Sequence, residues 1–182
     1  MIKDLELSIF FFINKTIANP VFDFIMPLFD EPKTWIPFIL IIWIFLSYKD
    51  KQNRIMLLIM VPVVILFCDQ IGGFIKDFGF RDRPWYGLGL ENVRHLGGFG
   101  GKHSSFPSNH AANISGIAFF FSSLYPKFKH CFWSYALIVM FSRIYIGVHY
   151  PLDVISGYII GISVSYFLIR VYKKVEGLKL KC

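Results

Sequence analysis

Six apolar runs recur along the chain, and their length is the feature that most limits what it can fold into. A helix needs roughly 20 apolar residues to cross the hydrocarbon core of a bilayer. The chain is 55% hydrophobic and contains 21 Phe residues, which exceeds the usual composition of soluble domains. These runs predict an all-α, polytopic membrane helical bundle with about six transmembrane helices, at residues 7–29, 34–48, 55–75, 110–125, 132–148 and 152–172.

The first run is the weakest of the six, because Asn14, Lys15, Asn19 and Pro20 interrupt it. Backbone that breaks out of a helix is tolerated at membrane depth only where protein or water covers it. The interruption therefore predicts two short helices, one lying at the interface and one entering the membrane. The sequence leaves open whether the run crosses the bilayer completely.

Lysine and arginine residues predict the orientation of the bundle. They collect in the 49–54 loop, the 126–131 loop and the tail that includes Lys179 and Lys181. Alternating spans place these three segments on the same side as the N-terminus, and the positive-inside rule makes that side cytoplasmic. The long 76–109 loop, which is also basic, is then expected on the opposite side.

The chain is interpreted as a single membrane-embedded domain over residues 1–182, because this length is enough for one domain and hardly for two. The 76–109 loop is too short to fold alone, and long ordered loops are commonly functional. Three widely spaced cysteines, at positions 68, 131 and 182, indicate neither a disulfide framework nor a zinc site.

Three polar clusters interrupt the apolar pattern. The first leaves the third run, the second opens the fourth, and the third joins the fifth run to the sixth, so the topology brings all three to the same membrane face. They are Lys76-Asp-Phe-Gly-Phe-Arg-Asp-Arg83-Pro84, Pro107-Ser108-Asn109-His110 and Ser142-Arg143-Ile-Tyr-Ile-Gly-Val-His149-Tyr-Pro-Leu-Asp153.

These clusters supply the groups that a phosphate site needs. Lys76, Arg83 and Arg143 are cations at one membrane surface, and a guanidinium forks onto phosphate oxygens. Arg143 lies within an apolar run, where a charge is costly and normally faces a partner or a cavity. Ser108 and Asn109 lie at a helix start, whose free N–H groups favour an anion.

Two histidines and a carboxylate complete the set. One histidine can attack phosphorus while the other protonates the leaving oxygen. Asp153 follows His149 by four residues and can hold one imidazole nitrogen, which leaves the other nitrogen free to attack.

The spacing K-x6-RP, PSxH and SR-x5-H-x3-D resembles the signature of the type 2 phosphatidic acid phosphatase superfamily, which includes bacterial lipid phosphatases and vanadium haloperoxidases. All three motifs occur in order, and the surrounding runs resemble the helical membrane core of the family. The resemblance implies a phosphatase that uses a histidine nucleophile and no metal or other cofactor. It also implies these roles: Lys76, Arg83 and Arg143 bind phosphate, Ser108 and the Asn109 amide add hydrogen bonds, His149 forms a phosphohistidine, Asp153 orients it, and His110 is the general acid.

Position 109 departs from the family pattern, which usually has Gly there. If only the backbone N–H is used, Asn can substitute at a helix start. Its side chain can instead narrow the pocket or touch the substrate head group, and the sequence leaves these alternatives open.

Other polar residues receive simpler interpretations. Asp69 in the third run is expected to make a helix-packing hydrogen bond. Arg81 and Asp82 are expected to form a local surface pair. The Gly-rich 97–102 segment lacks the features of a nucleotide loop and is interpreted as a flap over the active site. His95 and His103 are expected to be ordinary loop residues.

The function predicted from these features is removal of a phosphate monoester or diphosphate from an envelope lipid, at the periplasmic face of a bacterial inner membrane. Lipid A 1-phosphate and undecaprenyl diphosphate are favoured, with phosphatidylglycerol phosphate or phosphatidic acid as alternatives. The expected partners are the phospholipid substrate and membrane lipids, with no nucleic acid, and the oligomeric state is left open. An anion transporter and a haloperoxidase are the rival classes; the lack of repeats and the membrane spans argue against them.

Overall fold

The structure is a computed structural model that describes residues 2–30 and 32–179, so the predicted tail residues Lys181 and Cys182 lie outside the described part. Its regular structure there is helical. The helices are α1 (Ile2–Phe11), which continues as a π-helix (Phe12–Thr16), α2 (Pro20–Ile25), which continues as a 3-10 helix (Met26–Phe29), α3 (Pro32–Lys49), α4 (Arg54–Lys76), α5 (Pro84–Gly87), α6 (Asn109–Leu124), a 3-10 turn (Pro126–Phe128), α7 (Lys129–Tyr145) and α8 (Pro151–Lys179).

Two of these helices, α4 and α8, are each long and apolar enough to cross a membrane. The segments Ile2–Thr16 and Pro20–Phe29 pass the same test as a pair but are bent by 96°, so they add a third span if the pair counts as one. α6 and α7 are shorter, with 16 and 17 residues. Many large apolar side chains on α3, α4 and α8 are exposed, as lipid-facing surfaces require. The predicted all-α membrane bundle is confirmed.

The bend in the first apolar run is made by the polar residues that interrupt it. Asn19 caps α2, because its side-chain oxygen accepts a hydrogen bond from the backbone N of Phe22 at 3.0 Å, and Pro20 follows at the first helical position. The fully buried Asn14 donates to the carbonyl oxygens of Tyr145 and Arg94, both at 2.8 Å. The run therefore forms two short helices, as predicted, and Asn14 ties the first of them to the end of α7.

α6 lies at the centre of the bundle and packs against α4, α7 and α8. Small residues make its contact with α8 close. A Cβ atom added at Gly157 would lie 2.3 Å from the carbonyl oxygen of Ser108, and one added at Gly161 would lie 2.1 Å from that of Ala112. Spacing of small residues by four lets two membrane helices approach at backbone distance. This seam fixes the start of α6 against the start of α8.

Candidate active site

A cavity of about 390 Å³ lies where α4 ends, α6 begins, α7 ends and α8 begins. The topology predicted this convergence, and every predicted site residue except Ser108 and Asp153 lines the cavity. The lining residues are Asp30, Lys76, Arg83, Gly98, Phe99, Gly100, Asn109, His110, Arg143, Val148 and His149. Lys76, Arg83 and Arg143 bring positive charge to it from three separate segments, so the cavity suits an anion.

Arg143 is almost completely buried, with 1% of its surface exposed, and it binds Asp30. Its Nη1 donates to Asp30 Oδ1 at 2.6 Å, while Nε and Nη2 both donate to the Ser142 hydroxyl. Asp30 was not predicted as a site residue. Burial favours a raised pKa for Asp30, but the Gly98 amide and Arg143 outweigh it and hold this pKa below its ordinary value. The cavity therefore already contains one carboxylate.

Arg83 holds the Gly-rich segment over the cavity. Its Nε donates to the carbonyl oxygen of Gly101 at 3.0 Å, and its backbone N donates to that of Lys102 at 2.8 Å. The Gly98 amide donates to Asp30 Oδ2 at 2.7 Å. Residues 98–100 consequently line one wall, which is the position expected for a flap.

His149 is buried against the cavity, in the turn between α7 and α8. Its backbone N donates to the carbonyl oxygen of Arg143 at 3.2 Å, and its Nδ1 lies 3.6 Å from Asp153 Oδ2. Burial, reinforced by the positive charge of Arg83, lowers the pKa of His149 to about 4 against the opposing effect of Asp153. A neutral ring with a free lone pair follows at ordinary pH.

Asp153 lies behind His149 and is fully buried in the first turn of α8. Its Oδ2 accepts hydrogen bonds from the Ser105 hydroxyl at 2.6 Å and from the backbone N of Tyr150 at 2.8 Å. Its Oδ1 accepts one from Arg81 at 3.1 Å. Three donors from outside the histidine therefore fix the carboxylate in place.

Arg81 differs from its sequence-based interpretation as a surface partner of Asp82. It binds Glu6 of α1 through Nη1 and Nη2, at 2.9 and 2.5 Å, and stacks on the Tyr150 ring at 3.8 Å. Asp82 instead pairs with His103 at 2.6 Å. The prediction was wrong because Glu6 is only 5% exposed and its carboxylate pairs with Arg81, which lies 75 positions away in the sequence. The sequence signal for this ion pair was Glu6 itself, the one glutamate in the apolar N-terminal segment.

Ser108 lies outside the lining of the cavity. Its hydroxyl accepts a hydrogen bond from the backbone N of Ala111 at 3.4 Å and so caps α6. Its own backbone N donates to the carbonyl oxygen of Asp153 at 2.9 Å. The structure thus gives Ser108 a role in joining α6 to α8, and its predicted contact with phosphate stays a prediction.

Asn109 turns its side chain toward α4 while lining the cavity. Its amide nitrogen donates to Asp69 Oδ1 at 3.3 Å, and Asn113 donates to the same oxygen at 2.9 Å. Gly72 leaves the necessary room, since a Cβ there would lie 2.3 Å from Asn109 Oδ1. Asp69 makes the helix-packing hydrogen bonds predicted for it.

A second, larger cavity of about 700 Å³ adjoins the first, and Asn109 and His110 line both. Apart from Asp69, Asn109, His110 and Asn113, its lining is dominated by apolar and aromatic side chains. They come from α3, α4, α6 and α7 and from the segment before α3: Phe29, Ile39, Ile42, Trp43, Leu46, Val61, Ile65, Ile114, Ile117, Ala118, Phe121, Cys131, Phe132, Tyr135 and Val139. A polar pocket that shares lining residues with an apolar one suits a ligand with a charged head and a hydrocarbon tail.

Within residues 2–30 and 32–179, no three His, Cys, Asp or Glu side chains are grouped so as to hold a metal ion. The predicted independence from metal needs a chelation experiment.

Comparison with known proteins identifies the family. The sequence profile of the PAP2 superfamily matches residues 55–176. The lipid A 4'-phosphatase of Porphyromonas gingivalis is 30% identical over 176 residues, which are 94% of this chain and 74% of that protein. The putative undecaprenyl-diphosphatase YbjG of Escherichia coli is 26% identical over 88% of this chain and 79% of its own length.

The crystal structure of Aquifex aeolicus LpxE superposes with a TM-score of 0.73 at 28% identity, over 91% of this chain and 95% of that one. Fold, motif order and profile agree, so the resemblance seen in the sequence is confirmed. The chain belongs to the PAP2 superfamily and is a membrane lipid phosphatase.

Proposed function

We propose that this phosphatase removes phosphate from an envelope lipid through a phosphohistidine on His149, at the outer face of a bacterial inner membrane. The observation that carries the proposal is the junction of two cavities at Asn109 and His110. One side of the junction offers three cations and a neutral, buried histidine, and the other offers an apolar space for a lipid tail. The whole chain, residues 1–182, acts as one domain in this proposal.

In the first step, the Nε2 lone pair of His149 attacks phosphorus, a P–N bond forms, and the P–O bond to the lipid breaks. Nδ1 is the nitrogen that faces Asp153, which leaves Nε2 for the attack. His110 donates its proton to the departing lipid oxygen. Lys76, Arg83 and Arg143 neutralise the charge that develops on the phosphoryl oxygens.

In the second step, water attacks the phosphorus of the phosphohistidine and the P–N bond breaks. His110, now neutral, accepts a proton from this water, and the electron pair returns to Nε2 of His149. Inorganic phosphate is released, and both histidines regain their starting states. No step requires a metal.

Two relatives support the favoured lipid classes, lipid A phosphates and undecaprenyl diphosphate, without favouring the 1-phosphate position of lipid A. A lipid A 4'-phosphatase is similar over most of this chain, and a putative undecaprenyl-diphosphatase is similar over a nearly equal share. A lipid A phosphate monoester or undecaprenyl diphosphate is accordingly proposed as the substrate, with phosphatidylglycerol phosphate or phosphatidic acid as alternatives. The basic 49–54 and 126–131 loops support a cytoplasmic side opposite the site, with the site facing the periplasm or exterior.

The test is phosphate release by the purified full chain from a panel of these lipids, with EDTA present. The expected results are turnover that survives chelation and an acid-labile, base-stable label from a phosphate-labelled lipid. His149→Ala should abolish both while leaving the protein folded. Loss of activity with EDTA and rescue by a divalent ion would count against the mechanism, as would a label retained by His149→Ala.

His110→Ala supplies a matched comparison within the same pocket. The variant should slow cleavage of a lipid much more than cleavage of an aryl phosphate, whose good leaving group needs little protonation. Equal loss on both substrates would contradict the assignment of His110 as general acid.

A further inference from the structure

Three polar residues line the apolar cavity just below the phosphate site: Asp69, Asn109 and Asn113. Asn113 follows Asn109 by one helical turn of α6, which places it about 6 Å further along the axis. Asp69 precedes Lys76 by seven residues of α4, or about 10 Å. Beyond this depth on α6, the cavity is lined by apolar residues such as Ile117 and Phe121.

These groups are costly at this position. A carboxylate and two carboxamides within membrane helices normally face a partner or a functional cavity. Asp69 Oδ1 accepts both amide donors, yet the oxygens Asn109 Oδ1 and Asn113 Oδ1 are buried and have no hydrogen-bond partner in the described part of the chain. The cluster therefore holds more acceptors than its own donors satisfy.

We infer that Asp69, Asn109 and Asn113 form a subsite that binds hydroxyl or amide N–H groups on the lipid, directly below its phosphate. This inference rests on the proposed function and deepens it, because it separates the two favoured lipid classes. An acylated amino-sugar phosphate carries hydroxyl and amide groups at this depth. A polyprenyl diphosphate carries only hydrocarbon there, and it would desolvate the three polar side chains without replacing their hydrogen bonds. The subsite therefore selects the acylated amino-sugar phosphate.

Asn109 is the residue that joins the subsite to the phosphate pocket. It lines both cavities, and its side chain fits only because α4 has Gly72 opposite it. The sequence left open whether the Asn109 side chain narrows the pocket or touches the substrate head group. The cluster favours contact with the head group.

The experiment compares three substrates on the purified full chain: a phosphorylated N-acyl glucosamine lipid, a polyprenyl diphosphate and p-nitrophenyl phosphate, which has neither tail nor sugar. Wild type should prefer the sugar lipid over the polyprenyl lipid in kcat/KM. In Asn113→Leu and in Asp69→Asn, this preference should fall roughly tenfold, the effect of one lost hydrogen bond to a buried group. Ser122→Ala, on the same helix but outside both cavities, should keep the wild-type preference.

The outcomes distinguish a failure of the subsite inference from a failure of the proposed reaction. A wild type that prefers the polyprenyl diphosphate, or variants with an unchanged preference, would overturn the subsite and leave the phosphatase mechanism standing. No hydrolysis of any substrate by folded wild type would overturn the proposed function instead. Turnover of p-nitrophenyl phosphate shows that a variant has kept its phosphate pocket. If Asn113→Leu does not fold, Asp69→Asn provides the test, because it keeps the shape of the side chain.

Discussion

At the scale of single residues, the proposed role of His149 as nucleophile predicts that its protonation state sets the useful pH range. Its pKa is lowered from 6.5 to about 4, because burial and Arg83 disfavour the imidazolium. A protonated ring cannot attack phosphorus, so the acid limb of kcat/KM that His149 causes should lie near pH 4 and not near 6.5. A pH–rate profile, corrected for ionisation of the substrate phosphate near pH ~6, measures this. A decline centred on the ordinary imidazole value would contradict it.

Arg81 should influence the same profile without touching the phosphate. It binds Asp153 and Glu6, and it offsets the negative charge that Asp153 presents to His149. Arg81→Gln should therefore raise the pKa of His149, move the acid limb of kcat/KM to higher pH and lower kcat. Glu6→Gln should show a smaller loss, since Arg81 would keep its contact with Asp153.

Asp82→Asn is the matched control for Arg81→Gln, because Asp82 is the next residue along and pairs with His103 outside the site. It should leave the profile unchanged. If Arg81→Gln lowers kcat without moving the acid limb, its role is structural only.

Sequence patterns with fixed spacing predicted His149 and Arg143 as site residues, and both line the cavity, while their roles in the reaction stay predictions. They missed Asp30, Glu6 and Ser105, which reach the site from distant segments. Asp30 lies 113 positions from the arginine that it binds. Such pairs depend on how helices pack, and a single sequence carries no record of that packing.

At the scale of elements, the seam between α6 and α8 is the most sensitive contact. Gly161→Leu would force its side chain into the Ala112 carbonyl and separate the helices, which also pulls Asp153 away from the Ser108 amide. We expect a loss of about 1–3 kcal/mol in stability, as for other overpacked contacts, and a larger fractional loss of activity. Thermal unfolding in detergent and phosphate release measure the two effects.

Gly177→Ala is the control on the same helix, because a Cβ there meets nothing within 4 Å. It should unfold at or slightly above the wild-type temperature, because Ala favours a helix more than Gly does. A Gly161→Leu variant that is as stable as Gly177→Ala would show that the seam does not limit stability, because Leu and Ala both favour a helix more than Gly does.

The apolar runs predicted the helices well because hydrophobic length is a local property. The ends were less accurate where polar chemistry intervenes. The predicted fifth run, 132–148, extends past the end of α7 at Tyr145, and the long loop contains the short helix α5, which Pro84 begins. Caps and turns depend on hydrogen bonds that hydropathy does not describe.

At the scale of the whole molecule, the orientation of the bundle is testable in intact cells. In a background without native cysteines, Lys102→Cys in the long loop should react with an impermeant thiol reagent applied from outside. Lys51→Cys, in the basic loop at the other end of the bundle, should react only after lysis. Both positions are exposed. The reverse pattern would place the active site in the cytoplasm.

The family and the reaction class were predictable from sequence because they rest on three spaced motifs. The lipid was not, because any apolar tail suits a cavity lined by apolar side chains, and many different residues provide an equivalent apolar surface. The polar contacts just below the phosphate carry more information, but the partners of Asn113 and Asp69 become known only from the packing of α4 against α6.

Asp30 affects what happens after the reaction is over. Its carboxylate is already paired with Arg143. Inorganic phosphate that binds from water must therefore displace the Asp30–Arg143 ion pair. A lipid phosphate displaces the same pair but also buries its tail, which favours binding. Asp30→Asn should therefore strengthen inhibition by inorganic phosphate roughly tenfold, as expected from removing one nearby negative charge, and an unchanged inhibition constant would contradict this. We expect an enzyme built this way to release its product readily and to keep working in phosphate-rich surroundings.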